Sequence, residues 1–325
     1  MINLFLNLLI KQSREMMAHS GKVFIGCLVA VIFGISDSYG YTGTKVGNGG
    51  KIHGRVILKG PVPEHRAFPI VLYPFGSYCK KISNGEGLIL LKEFNVDLDG
   101  GLQDAVVAVQ GVTKGKRFRS KKNQFVAINC MFHPADVPED KQFELHAGRL
   151  THVHPLVSIM RNHRRVSVVN KDPVLHGGQI YQPETGHRVL SFPVPVSGGK
   201  FGGTIHLGKG KKIVQMICPM HEFMQSWGWI VDNPYFAKTQ KGGGYLIDDL
   251  LPGKYKVTAW HPHLKPIEKE FTILEGRTVS IDFEFDPTQV VRPLYETQEH
   301  FRIPPESDPF QDLEGCEDPF CVKRD

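Results

Sequence analysis

Short runs in which apolar and polar residues alternate, each closed by glycine or proline, recur along most of this chain. Lys51-Ile52-His53-Gly54-Arg55-Val56-Ile57-Leu58-Lys59 alternates with a period of two until Gly60-Pro61 breaks it, the pattern of a half-buried strand. Asp99-Gly100-Gly101 precedes Ala105-Val106-Val107-Ala108-Val109 as a turn precedes a strand. Further strands are predicted at Gln124–Ile128, Val166–Asn170, Lys212–Ile217 and Trp227–Val231. From Gly242 to Pro262 two strands flank Leu251-Pro252-Gly253, where Pro presets φ and Gly accepts the positive φ that follows. No long amphipathic helix appears. The pattern predicts an all-β protein of Greek-key β-sandwiches, with a central sandwich flanked by smaller β modules.

The breaks between runs suggest the organisation. Residues 1–40 read as a secretory signal cut near Tyr41, with the apolar core Val23–Phe33 preceded by Lys22 and followed by Ser38-Tyr39-Gly40. A single membrane anchor is the alternative, although that core of about a dozen residues falls short of the roughly twenty a span needs. Then come a short linker (41–50), an N-terminal β module (51–112), a basic loop or linker (113–123), a central domain (124–232), a third β module (233–285) and an acidic Pro-rich tail (286–325). The expected location is exported, periplasmic or extracellular.

Composition adds two constraints. With 34 Gly and 22 Pro the chain is rich in turns. Residues 41–285 carry 32 basic against 21 acidic residues, an excess of +11, whereas residues 286–325 carry four basic against ten acidic. The basic excess gathers at Lys114, Lys116, Arg117, Arg119, Lys121 and Lys122, and at Arg161, Arg164 and Arg165. Such a body steers toward an acidic partner or an anionic membrane surface. It lacks the interleaved aromatic and basic residues of a nucleic-acid module, so no nucleic-acid partner is expected.

The chemistry concentrates in Ile217-Cys218-Pro219-Met220-His221-Glu222-Phe223-Met224, read with Asn170-Lys171-Asp172-Pro173-Val174-Leu175-His176 upstream. One thiolate, two imidazoles and one thioether form the ligand set of a mononuclear type 1 copper ion, with Cys and two His in a plane and Met weakly on the axis. His176, Cys218, His221 and Met224 are the candidate ligands. Outside the signal the chain has Cys79, Cys130, Cys218, Cys316 and Cys321, an odd number that a metal-bound Cys218 would explain. Cys316 and Cys321 are near enough in sequence for a local disulfide, which leaves Cys79 with Cys130 as the other candidate pair. His152 and His154, two apart on a predicted strand, share a face and read either as a surface pair or, with His133 or His146, as a second metal site.

These residues resemble the cupredoxin family, amicyanin- and plastocyanin-like, in which a first His follows an Asn and a Cys-x-x-His-x-x-Met loop comes later. His176, Cys218, His221 and Met224 match in turn, while Gly177 stands where many members have Asn. The segment 242–262 resembles the carboxypeptidase-regulatory-like, prealbumin-type β-sandwich, a fold that implies no catalytic residue, so His261 and His263 are expected to be structural or surface. The combination is similar to methylamine-utilisation-like exported proteins. The resemblance implies one type 1 copper and electron transfer with a redox protein, such as a c-type cytochrome, docking near an exposed edge of His221. No nucleophile with an attendant base and no nucleotide loop is evident, so an enzyme is not expected. Two other readings stand beside this one. Met216, Met220 and Met224 bracket Cys218 and His221 as a Cu(I)-handling protein would require, and a structural or carbohydrate-binding module could carry the motif without using it.

Overall fold

The computed structural model describes residues 40–119, 122–196 and 198–292. The expected signal segment or anchor, Cys316, Cys321 and the acidic tail beyond Arg292 lie outside the described residues. Within them the protein is all-β, built of packed sheets joined by turns and a few short helical pieces.

One sandwich draws its strands from both ends of the described chain. Val106–Gln110 lies between Phe236–Lys238 and Gly253–His261, with Leu264–Ile273 at the edge. In the facing sheet Gly50–Leu58 pairs with Gly244–Leu250, Thr278–Ser280 and Phe283–Phe285. The segments expected as an N-terminal and a third module therefore share sheets, and Ile52, Val56, Val107, Val109, Val257 and Phe283 share one core. The alternation in Gly50–Leu58 follows, since Ile52, Val56 and Leu58 are buried while Lys51 and His53 are exposed. Val106–Val109 does not alternate because both its faces are covered. Val107 and Val109 face this core, and Val106 and Ala108 pack with Trp227, Trp229 and Trp260 of the join to the next sandwich.

That central sandwich consists of a five-stranded sheet and a four-stranded one. The first runs in the order Leu156–Met160, His221–Ile230, Ile213–Cys218, His176–Gln182, His187–Val194. The second runs Lys200–Thr204, Arg165–Asn170, Asn123–Ile128, Met131–Pro134. Phe125, Val166, Val168, Ile180, Val214 and Met216 fill the space between them.

A third small sheet, Arg66–Pro69, Leu88–Leu91, Arg149–Val153 and Phe143–His146, adds Phe68, Ile89, Leu91 and Val153 to that same core. Between Pro69 and Leu88 the chain makes a 3₁₀ turn at Ile70–Leu72, a helical turn at Gly76–Cys79 and another 3₁₀ turn at Lys80–Ile82. This stretch forms a cap, described below.

The basic stretch after residue 113 is not wholly solvated. Lys114–Gly115 pairs with Thr42–Gly43 inside the expected linker, Lys116 forms an ion pair with Asp248, and the Arg161 guanidinium lies 4.0 Å from the centre of the Phe118 ring. The start of the tail is also held, as Val290 bridges to Leu264 and Arg292 binds Glu93.

Candidate metal centre

Cys218 ends one strand and His221 begins the next, so the intervening Pro219-Met220 makes a tight turn and the two residues face each other across the hairpin. Ile217 pairs with Gln225, so an uninterrupted register would set Cys218 opposite Met224. Instead the pairing slips and Glu222-Phe223-Met224 bulge out, a device that re-aims side chains at functional ends of sheets. Met224 is fully buried in the same core cluster as Cys218. His176 arrives from the other direction. The Asn170 side-chain amide donates to the carbonyls of Val174 (2.8 Å) and Val194 (3.0 Å), and its oxygen accepts from the Asp172 amide (2.9 Å). These bonds fold residues 170–174 into the turn that starts the His176 strand.

The three side chains meet. Their candidate ligand atoms lie within 4.8 Å of one another, with Cys218 Sγ 3.6 Å from His221 Nδ1 and the two imidazole centroids 5.3 Å apart. All three are shut off from solvent, at 1% exposure for His176 and 0% for Cys218 and His221. The outer ring nitrogens decide the tautomers. His221 Nε2 donates to the Pro74 carbonyl at 2.8 Å, and His176 Nε2 donates to the Asp172 carboxylate at 2.9 Å. Both partners accept hydrogen bonds, so each outer nitrogen carries a proton and each Nδ1 is the atom that faces inward. His176 Nδ1 is buried with no hydrogen-bond partner. A buried nitrogen left unpaired beside a thiol is costly in a folded protein, and a soft transition metal accepting both lone pairs would remove that cost.

The electrostatics agree with this donor set. Burial alone would push the Cys218 thiol up, but the facing imidazoles of His176 and His221 outweigh it and hold the group at about 5, a thiolate at neutral pH. For His176, burial disfavours the charged ring, yet the Asp172 bond and the Cys218 thiolate raise it to about 9. Without a metal both groups are therefore drawn to their charged forms, and the inner proton on His176 is the one a bound metal ion would displace. The series Cys218, His176, Asp172 has the connectivity of a nucleophile, base and orienting acid, around a sulfur that is fully buried.

Asp172 is the main residue that the sequence motif did not reveal. Its carboxylate accepts from His176, from Tyr78 Oη (2.8 Å) and from the amides of Asn129 (2.7 Å) and Cys130 (2.8 Å). Burial opposes its ionisation, and these donors more than offset it, keeping the acid below its ordinary range. Asn129 and Cys130 occupy a two-residue hairpin turn with φ of 55° and 54°, so their successive N–H groups form a small anion-binding concavity. A clue was an acid four residues before the candidate His, which in a compact turn places carboxylate and imidazole together.

The cap supplies the other outer contacts. Pro74 covers His221 Nε2, Phe75 lies against the His221 ring with centroids 6.3 Å apart, and Tyr78 reaches Asp172. Cys79 and Cys130 form a disulfide, and Cys79 Sγ lies 3.9 Å from His221 Nε2. The exposed His221 edge expected for partner docking is therefore absent. Residues 74–79 reach across from the small sheet and cover it. Gly177 also has a local reason, since a Cβ there would meet the Pro219 ring carbons at 3.0 Å, while its amide donates toward Cys218 Sγ at 3.5 Å.

The other histidines do not join this centre. His152 and His154 are half-buried around Glu144, with His154 Nδ1 donating to the Lys92 carbonyl and His152 packed on His65 at 4.3 Å. His133 bonds to the Pro138 carbonyl and His146 is exposed, and neither completes a ligand cluster with them among the described residues. His261 and His263 are not on the surface. Both are buried, His263 lying 3.1 Å from Glu93, which also binds Arg66 (2.6 Å) and Arg292 (2.7 Å).

No family profile matches the sequence, and no curated protein matches it. Among solved structures, a Cu-containing nitrite reductase (NirK) from Thermus scotoductus SA-01 resembles 36% of this chain over 24% of its own, at 14% identity and a TM-score of 0.23. The Bacillus anthracis TIE protein resembles 74% of this chain over 51% of its own, at 9% identity and a TM-score of 0.14. The chain spans about a quarter of the first and about half of the second, and likenesses this weak decide neither fold nor chemistry.

Proposed function

We propose that this protein is an exported electron carrier that would hold one copper ion between Cys218, His176 and His221, with Met224 as a weaker fourth ligand. The observation that carries the reading is that both imidazoles are fixed by outside acceptors with Nδ1 inward, around a buried free cysteine held as a thiolate. Thiolate, imidazole and thioether together suit both oxidation states, so a bound copper ion would supply a one-electron couple. The chain supplies rigidity and dryness. Its ligands sit on strand ends pinned by Asn170 and Asp172, and the cap keeps water from the sulfur. Little rearrangement and little solvent reorganisation are what an electron carrier needs.

The alternative of Cu(I) handling is less well supported. A handling site must present soft ligands to a partner, and here Met216, Met220 and Met224 are 4%, 8% and 0% exposed. The proposed partner is a redox protein, such as a c-type cytochrome, attracted by the basic excess of the body. Titrating the metal-free protein with Cu(II) tests the reading. Strong thiolate-to-copper absorption that bleaches reversibly on reduction, and is lost in Cys218→Ser, is the expected result. A protein that holds neither Cu(II) nor Cu(I), even after refolding in the presence of either ion, would refute it, and Cu(I) uptake without a visible band would favour handling.

A further inference from the structure

We propose that the Cys79–Cys130 bridge is the positioning element and the lock of this centre: metal loads while the two cysteines are thiols, and closing the bridge seals the site and orients both imidazoles. The proposal rests on the reading of His176, Cys218 and His221 as metal ligands.

The bridge joins the two structures that hold the outer nitrogens. On one side, residues 74–79 of the cap give the Pro74 carbonyl to His221, the Tyr78 hydroxyl to Asp172 and Cys79 Sγ at 3.9 Å from His221 Nε2. On the other, the Asn129-Cys130 turn gives two amides to Asp172, and the sulfur of Cys130 lies within 4.8 Å of the ligand atoms of both Asp172 and His176. One covalent bond thus fixes the carbonyl behind one imidazole relative to the carboxylate behind the other. Apart from this bond the cap is held by side chains packed into the core, Tyr73 and Ile82 among them. It is a four-residue helical turn between two 3₁₀ turns, pieces too short to be stable alone. A bridge spanning 51 residues removes most of the freedom such a segment would otherwise have.

Sealing sets the order of events. His176, Cys218, His221, Cys79 and Cys130 are each 0–1% exposed. With the bridge closed, a metal ion has no approach to the ligands, and a reducing thiolate has none to the bridge. Loading therefore precedes closure. Closure forms one S–S bond and gives up two protons and two electrons. A disulfide donor accepts both through thiol–disulfide exchange and leaves as a dithiol. In a wholly structural role the bridge would stabilise the fold without changing the rate of metal uptake or the spectrum of the metal.

The test uses the full chain and Co(II), whose thiolate absorption reports uptake. Metal-free protein with the bridge intact should take up Co(II) at least tenfold more slowly than the same protein reduced in denaturant and refolded without the reductant. Cys79→Ser/Cys130→Ser should load at the reduced rate, and the reduced wild-type chain provides the answer if that variant does not fold. Loaded with Cu(II), the unbridged protein should show shifted visible bands and altered copper hyperfine splitting while its far-ultraviolet dichroism is unchanged. Equal uptake rates for bridged and reduced protein would overturn the lock, and identical copper spectra would overturn the positioning role. Protein refolded and oxidised in the presence of Co(II) should retain the metal through gel filtration. If it retains none, the metal reading fails, and this proposal with it.

Discussion

Replacing Asp172 by Asn removes one charge and almost no volume, so its effect follows from the hydrogen bonds alone. The carboxylate accepts four, with Tyr78 Oη and the Asn129 amide on one oxygen and the Cys130 amide and His176 Nε2 on the other. An amide keeps one oxygen and places an NH₂ group against two donors. Two bonds to a charged acceptor are lost in a site that is 2% exposed, at about 1.5–3 kcal/mol each, or roughly 3–6 kcal/mol in all. That is a large part of the roughly 5–15 kcal/mol that holds a typical domain. A second effect falls on the metal. Where the NH₂ faces His176, the ring must accept there, and its proton moves to Nδ1, the atom that would bind the ion. Metal affinity should fall by about 10- to 100-fold, the usual loss for an outer-shell partner. Urea unfolding of the metal-free protein gives the first quantity and chelator competition for Co(II) the second. Unchanged stability together with unchanged affinity would refute the assignment of Asp172 as the group that sets the His176 tautomer.

Other consequences are independent of that residue. Burial pushes His261 down to about 3 and His263 to about 4, so both stay neutral in the fold while the unfolded chain protonates them near 6.5. The unfolded state then binds more protons, and stability should fall as pH drops below about 6.5, by up to about 2.7 kcal/mol per pH unit until His263 itself protonates. A flat profile of urea midpoints between pH 7.5 and 5 would contradict this. Glu93→Gln leaves the Arg66 and Arg292 guanidiniums, 20% and 25% exposed, without their buried anion, and should cost about 3 kcal/mol, the low end for breaking such a pair, measured by denaturation at pH 7. Gly177→Ala sets a methyl 3.0 Å from the Pro219 ring and should displace the Cys218 turn, broadening the Cu(II) charge-transfer band and costing about 1–3 kcal/mol. An unperturbed spectrum would show that the turn yields freely.

Periodicity found the strands well where one face is wet, as in Gly50–Leu58, and also where neither is, as in Val106–Gln110. It could not say which strands pair. The partners of Gly50–Leu58 lie some two hundred residues away, and their choice depends on which faces remain uncovered after the central sandwich has formed. In the centre, Cys218 and His221 were legible because their spacing is local to one hairpin. His176 was legible because Asn170 and the ligand share one turn. The cap was not, because Pro74, Tyr78 and Cys79 act through a backbone carbonyl, a hydroxyl and a disulfide on a segment with no periodicity of its own. The exposed His221 edge was expected from the loop alone, and covering it needed a chain segment almost 150 residues earlier.

The first long strand has a consequence for the order in which the protein can form. Ile52 lies opposite Val279, and Val56 opposite Phe283, so the outer sandwich cannot close until nearly all of the described chain is present. As the chain emerges, Gly50–Leu58 and Val106–Gln110 wait with unpaired edges while the central sandwich, which follows both in sequence, gathers its own local hairpins. Contacts so distant in sequence make closure slow, and unpaired hydrophobic strands in the interval invite pairing with other chains. The outer sandwich is therefore a late event that binds an already folded middle, and a chain truncated before Phe283 would expose Val56 and Leu58 rather than merely lose a tail.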